Sequence, residues 1–220
     1  MRALIFDCDG VLAETERDGH RAAFNRMFAA EGLDFEWTED DYASVLSVAG
    51  GKERLRRLCT DAFVERHGLP TEQAALDELV ALWHRRKTQI FLDLVAEGRM
   101  PSRAGVRRLA SEARAAGWRL AVASTSAVVS VEAIAEQVLG RELLGECVIA
   151  AGDMVENKKP APDIYLHAAR LLGIDAYDAV AVEDSHVGVS AAVAAGMRVV
   201  ATVSHYTADE DLTAADIVVD

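Results

Sequence analysis

The chain has 220 residues, 51% of them hydrophobic and 27% charged, the make-up of an ordinary globular protein rather than a disordered, fibrous or disulfide-scaffolded one. At roughly 100–200 residues per domain, that length suits one large domain or a core with a smaller companion. Lys and Arg number 23 against 36 Asp and Glu, so the net charge of −13 argues against nucleic acid or an anionic bilayer as a partner, and an anionic substrate would need a local cationic pocket or a metal ion.

Ala3 to Phe6 is a short apolar run that stops at Asp7-Cys8-Asp9-Gly10, as a buried strand emerging into a loop does. From Thr15 to about Gly98 the period becomes helical, with Phe24, Met27 and Phe28, then Val45, Leu46 and Val48, then Leu55, Leu58 and Phe63 recurring between charges. Breaks at Gly32, Gly50-Gly51 and Gly68-Leu69-Pro70 predict an insert of about four helices, the last and longest from Thr71 through Trp83 and Phe91. Beyond Pro101, helices are predicted at Val106–Ala116, Val128–Leu139, Asp163–Leu172 and Gly188–Ala195. They alternate with strands at Leu120–Ala123, Val148–Ala150, Ala179–Val182 and Arg198–Val203. Repeated strand-helix units imply an α/β fold, a Rossmann-like parallel sheet with helices on both faces. The predicted division is a core of 1–14 and 99–220 and a helical domain of 15–98 inserted after the first strand. No internal repeat or low-complexity tract stands out. The chain ends at Val218-Val219-Asp220, directly after an apparent strand, so a short further tail is expected.

Polar residues fall at one kind of place. Asp7 and Asp9, Ser124 to Ser126, and Glu183-Asp184 each follow the carboxyl end of a predicted strand, the edge where open parallel sheets bind ligands. Four carboxylates gathered there repel one another unless a hard cation sits among them, and an all-oxygen set favours Mg2+. With Lys159 and the Ser124 hydroxyl, such an ion would hold a phosphoryl group against a carboxylate nucleophile.

Asp7-Cys8-Asp9-Gly10-Val11, Ser124, Lys159-Pro160-Ala161-Pro162-Asp163 and Glu183-Asp184-Ser185 together resemble the four ordered motifs of the haloacid dehalogenase superfamily, across essentially the whole chain. The helical insert matches that family's cap in position. Glu14-Thr15-Glu16-Arg17-Asp18-Gly19-His20-Arg21, Gly50-Gly51-Lys52-Glu53-Arg54, Lys87-Thr88 and His205 to Asp211 are similar to the CbbY-type sugar-phosphate phosphatases, which act on xylulose-1,5-bisphosphate. Beta-phosphoglucomutase, a phosphosugar mutase, shares the core motifs and fits the cap less well. The resemblance implies that Asp7 is the nucleophile and Asp9 the general acid and base, and that Asp7, the Asp9 carbonyl, Glu183 and Asp184 surround Mg2+. It also implies that Ser124, the Thr125 amide and Lys159 stabilise the phosphoryl oxygens. In the cap, Glu16 and His20 would meet sugar hydroxyls. Gly51 would allow close backbone approach, and Lys52, Arg54, Lys87 and Arg103 would receive a second phosphate. Counted from Asp7, His20 lies one position later than in some relatives.

Competing motifs fail on detail. Gly50-Gly51-Lys52 is no P-loop, because Leu46 stands where glycine is required and Glu53 where Ser or Thr would bind Mg2+. Asp7-Cys8-Asp9-Gly10 follows a strand and lacks the further ligands of an EF-hand. His67, His84, His167 and His186 lack ligand spacing and read as surface or packing residues. Cys8, Cys59 and Cys147 offer no paired spacing, which fits a reducing cytoplasm. Ala3–Phe6 is too short for a signal segment, and nothing approaches the ~20 apolar residues of a membrane span. The expectation is a cytoplasmic monomer acting on a small sugar phosphate.

Overall fold

The structure is a computed structural model and describes residues 1–219. The chain divides into two compact units, Met1–Glu16 with Met100–Asp220, and Arg17–Arg99. The division lies one or two residues beyond the sequence-based boundaries for a local reason. Ala13 bridges to Ser102, and the Thr15 hydroxyl donates to Asp9, so the outgoing chain stays tied to the sheet unit as far as Glu16.

Six parallel strands, β1 (Ala3–Phe6), β2 (Arg119–Ser124), β3 (Cys147–Ala151), β4 (Ala179–Glu183), β5 (Arg198–Thr202) and β6 (Ile217–Val219), lie in the order β3-β2-β1-β4-β5-β6. Helices α6 (Val106–Ala115), α7 (Val128–Leu144), α8 (Asp163–Leu172) and α9 (His186–Ala194) connect them. Ala3, Ile5, Ala121, Ala123 and Ala181 share one core with Ile164, Ala168, Ala191 and Ala192 of α8 and α9, small side chains that let helix and sheet approach closely. Leu4, Phe6, Leu120 and Val122 alternate with them onto the other face.

Register decides where the loops end up. Phe6 pairs with both Val122 and Val182, so β1, flanked by β2 and β4, brings Asp7, Ser124 and Glu183 out along one edge. The Asp7 amide donates to the Val182 carbonyl at 2.9 Å, which carries the pairing one residue past the strand.

One core helix starts earlier than the sequence suggests. The α9 helix starts at His186 because the Ser185 hydroxyl accepts the Gly188 amide at 3.2 Å as its N-cap. In α7, Gly140 (φ +79°, ψ 161°) breaks the helical geometry, so the first helical stretch ends at Leu139 as the sequence predicts and a second, short one runs on to Leu144.

The second unit holds all but the first residue of a π-helical turn, Glu16–Arg21, and five α-helices rather than about four: α1 (Ala22–Ala30), α2 (Glu39–Val45), α3 (Gly51–Leu58), α4 (Asp61–His67) and α5 (Gln73–Ala96). Thr60 accounts for the extra one. Its hydroxyl accepts the Phe63 amide at 3.3 Å and caps α4, splitting a run whose apolar spacing looks continuous. The π turn takes up one residue more than an α turn. Phe24, Phe28, Phe35, Trp37 and Phe63 pack edge to face at 4.8–5.4 Å and form this unit's centre, with α5 against α1 and α3.

Candidate active site

At the carboxyl edge of the sheet, Asp7, Lys159, Glu183 and Asp184 are all buried. Lys159 Nζ donates to Asp7 Oδ1 and Glu183 Oε1, both at 2.6 Å, and to the Ala123 carbonyl at 3.0 Å. Oxygens of Asp7, Glu183 and Asp184 lie within 4.8 Å of one another. One ammonium cannot neutralise three carboxylates held out of water. Burial therefore pushes Asp7 up to about 8, with Glu183 and Asp9 adding to the rise and Lys159 opposing it. Asp184 is raised well above the carboxylate range by burial and by Glu183 and Asp7, while a hydrogen bond from Ser204 pulls the other way. Burial alone would lower Lys159, but Asp7 and Glu183 win and hold it well above the usual lysine value.

The Asp9 carboxylate lies outside this cluster. It receives the Thr15 hydroxyl at 2.5 Å on one oxygen and the Ser126 hydroxyl at 2.6 Å on the other, so two donors fix its plane. Ser124 is buried and its Oγ accepts the Ser126 amide at 3.1 Å, which turns the chain after β2; Thr125 beside it is half-buried. The set combines a carboxylate paired with a lysine, a second carboxylate two residues on, and hydroxyl and amide donors at one strand end. That is the equipment for nucleophilic attack on an electrophile with three anionic oxygens.

The haloacid dehalogenase-like hydrolase family matches residues 1–196. The chain belongs to that family. This hydrolase is 44% identical over 222 residues to a CBBY-like protein of Arabidopsis thaliana, covering 99% of this chain and 68% of that protein. It is 43% identical over 218 residues to protein CbbY of Rhodobacter capsulatus, covering 98% and 91%. A crystal structure of a CbbY variant from Rhodobacter sphaeroides in complex with xylulose-(1,5)bisphosphate superposes with a TM-score of 0.87 at 42% identity, over 100% of this chain and 94% of that one. The six-stranded parallel sheet is thus the Rossmann-like fold of these hydrolases. No helix among the described residues is long and apolar enough to cross a membrane.

Two glycines of the hydrolase are dictated by the carboxylates. Gly10 has φ +82°, and a Cβ there would fall on the Asp184 carboxylate. Gly188 sits inside α9, where a Cβ would overlap the Glu183 carboxylate. Alanine is normally the better helix former by about 0.8–1.0 kcal/mol. Gly188→Ala is expected to reverse that sign, costing about 1–3 kcal/mol in a thermal melt and at least tenfold in kcat/KM, because it displaces a buried acid. A melt unchanged or raised, with full activity, would contradict it.

Arg103 is committed elsewhere in the sheet unit. Its guanidinium donates to Glu14 at 2.5 Å and to the Thr202 hydroxyl and Val203 carbonyl, each at 2.7 Å, which makes it a tie between loops instead of an open phosphate receptor. The charge of half-buried Glu16 bears on both Cys8 and Asp184.

In the helical unit, His20 and Lys87 are both buried and meet at 2.7 Å between Nδ1 and Nζ. His20 stacks on Phe91 at 4.2 Å, and Lys87 lies over Phe24 at 4.6 Å and Phe91 at 5.2 Å. Lys87 is therefore no exposed basic residue of a solvated helix face. Arg54 donates to the Tyr42 hydroxyl at 2.8 Å and the Val48 carbonyl at 2.9 Å, while Lys52 is half-buried near the start of α3. Gly51, the first residue of α3, leaves room for the His84 ring, which a Cβ would approach to 3.0 Å.

Sequence reasoning passed over Thr15 as a partner of Asp9, and Tyr165 and Ser204 as partners of Glu183 and Asp184. Thr15 and Ser204 carry only the general signal of hydroxyls near an acidic turn. The segment His205 to Asp211 acts locally: Glu210 accepts the His186 amide at 2.5 Å, and the His186 ring meets the Asp211 carbonyl at 2.8 Å, fastening this loop to the start of α9.

Proposed function

We propose that this hydrolase is a Mg2+-dependent phosphatase of sugar phosphates, with xylulose-1,5-bisphosphate as its substrate, working through an aspartyl phosphate on Asp7. The observation that carries the reading is the buried Asp7–Lys159–Glu183 ion network with Asp9 held two residues away by Thr15 and Ser126. The bisphosphate comes from the relative crystallised with it.

The acidic cluster fits a hard divalent cation, since its donors are all carboxylate oxygens, buried and short of positive charge. Asp7, Glu183, Asp184 and the Asp9 carbonyl would hold Mg2+, which when bound supplies the missing positive charge beside the phosphoryl oxygens. Asp7 attacks phosphorus in line and the sugar oxygen departs. Asp9 protonates that oxygen and then takes a proton from the water that hydrolyses the aspartyl phosphate. Lys159, the Ser124 hydroxyl and the Thr125 amide stabilise the transferring oxygens. Substrate choice is assigned to Glu16, His20, Gly51, Lys52, Arg54 and Lys87, and cytoplasmic work to a chain whose three cysteines are all free.

The test is phosphate release with Mg2+ from xylulose-1,5-bisphosphate beside ribulose-1,5-bisphosphate, xylulose-5-phosphate and beta-glucose-1-phosphate. A kcat/KM about a hundredfold higher for the first, ~2.7 kcal/mol of transition-state discrimination, is expected. Equal rates on all four would remove the substrate assignment. Conversion of beta-glucose-1-phosphate to its 6-phosphate without net phosphate release would replace the phosphatase by a mutase.

A further inference from the structure

We infer that Tyr165 is a positioning residue of this site: its hydroxyl keeps the Glu183 carboxylate in place while the Lys159 ammonium changes partners during turnover. The inference rests on the phosphoryl-transfer reading above and adds a residue that the four motifs do not contain. Tyr165 is the third residue of α8, six after Lys159. Its neighbours Ile164, Ala168, Ala169 and Leu172 are buried apolar residues, so by periodicity it reads as one more packing residue. The ring is fully buried, yet its hydroxyl reaches Glu183 Oε1 at 2.5 Å.

Donor arithmetic shows what the hydroxyl is for. A lysine ammonium has three protons, and Asp7 Oδ1, Glu183 Oε1 and the Ala123 carbonyl lie 2.6, 2.6 and 3.0 Å from Nζ. Those three acceptors use all of it. The Tyr165 oxygen, 3.3 Å from Nζ, is not needed as a fourth, and its own proton goes to the much closer Glu183. Glu183 Oε1 thus receives two donors, and Oε2 receives the Asp184 amide at 3.1 Å.

To stabilise phosphoryl oxygens, Lys159 must release at least one of these acceptors. Glu183 is the one that suffers most, because it has no exposure to water and would lose its charged donor. Tyr165 is the donor that stays. It holds the carboxylate at its place in the Asp7–Glu183–Asp184 cluster and leaves the ammonium free to follow the phosphoryl charge. The ring contributes separately, lying with its centroid 4.8 Å from Nζ.

Tyr165→Phe separates the two, since it keeps the ring and removes the hydroxyl. In the full-length protein, the Mg2+ dissociation constant by calorimetry is expected to rise about tenfold, the scale of losing a group that orients a metal ligand. At saturating Mg2+, kcat should fall about tenfold with KM within twofold. In a Glu183→Gln background the same substitution should change neither quantity further, because the hydroxyl acts through that carboxylate. Equal losses in both backgrounds, or a lower melting temperature with Mg2+ affinity and kcat unchanged, would overturn the inference. If the parent protein binds Mg2+ but releases phosphate from no sugar phosphate, the phosphatase reading falls while the affinity comparison still decides the role of Tyr165.

Discussion

Asp7→Asn is expected to lower kcat for phosphate release by roughly 10^4-fold or more, over about 5.4 kcal/mol of transition-state stabilisation, with little change in melting temperature. The amide occupies the same volume and keeps an oxygen that can accept from Lys159, but its neutral oxygen cannot form the phosphoryl ester. The stability half of the expectation follows from the electrostatics. Burial, with Glu183 and Asp9, lifts Asp7 to about 8 against the pull of Lys159, so in the metal-free fold the charge on this carboxylate contributes little net stability near neutral pH. A neutral amide in its place costs the fold little. Single-turnover assays and a thermal melt on the same preparation check both halves. Asp9→Asn makes a useful partner, because loss of a general acid and base typically removes 10^2–10^4-fold and leaves the nucleophile able to be phosphorylated slowly. Retention of more than about one per cent of phosphate release by Asp7→Asn would place the nucleophile elsewhere.

The sheet and the polar cluster at its carboxyl edge were legible because both are written in interruptions of an apolar pattern. Asp7 after Ala3–Phe6, Ser124 after Leu120–Ala123 and Glu183 after Ala179–Val182 each end a run that buries both faces of a parallel strand, and a single strand order makes them converge. What stayed hidden depends on side-chain reach across long sequence separations. His20 and Lys87 stand 67 positions apart, and nothing local announces that they meet. Tyr165 hides within a helical periodicity that treats its ring as packing and says nothing of its hydroxyl. Gly188 looks like a weak residue in a helix until the Glu183 carboxylate is seen to occupy the space its side chain would need. Thr60 is a different failure: the cap signal was there, but the apolar spacing of Leu55, Leu58 and Phe63 runs straight across it.

Lys159→Met is expected to be the most destabilising single change in the site as well as an inactivating one. Lys159 is the only side-chain cation in contact with the Asp7 and Glu183 carboxylates among the described residues, and it is itself buried, so removing it strands negative charge where water cannot reach. Breaking a buried ion pair from one side costs about 3–5 kcal/mol. The loss should depend on pH with a definite sign. Asp7 and Asp184 have folded-state values raised above the unfolded carboxylate value of 3.8, so between that value and the raised ones the folded protein holds protons that the unfolded chain has released. Stability then falls as pH rises through that window, for Asp7 up to about 8, and without Lys159 the window reaches further up because nothing opposes the rise. Melting temperatures of Lys159→Met should therefore lie nearest those of the parent protein at about pH 5 and furthest below them at about pH 8. Added Mg2+ should recover part of the difference at pH 8 and little at pH 5, where the same carboxylates are protonated and cannot bind it. A melting temperature independent of pH and of Mg2+ would mean that the three carboxylates do not share one ion, and the metal-assisted reading would fall with it.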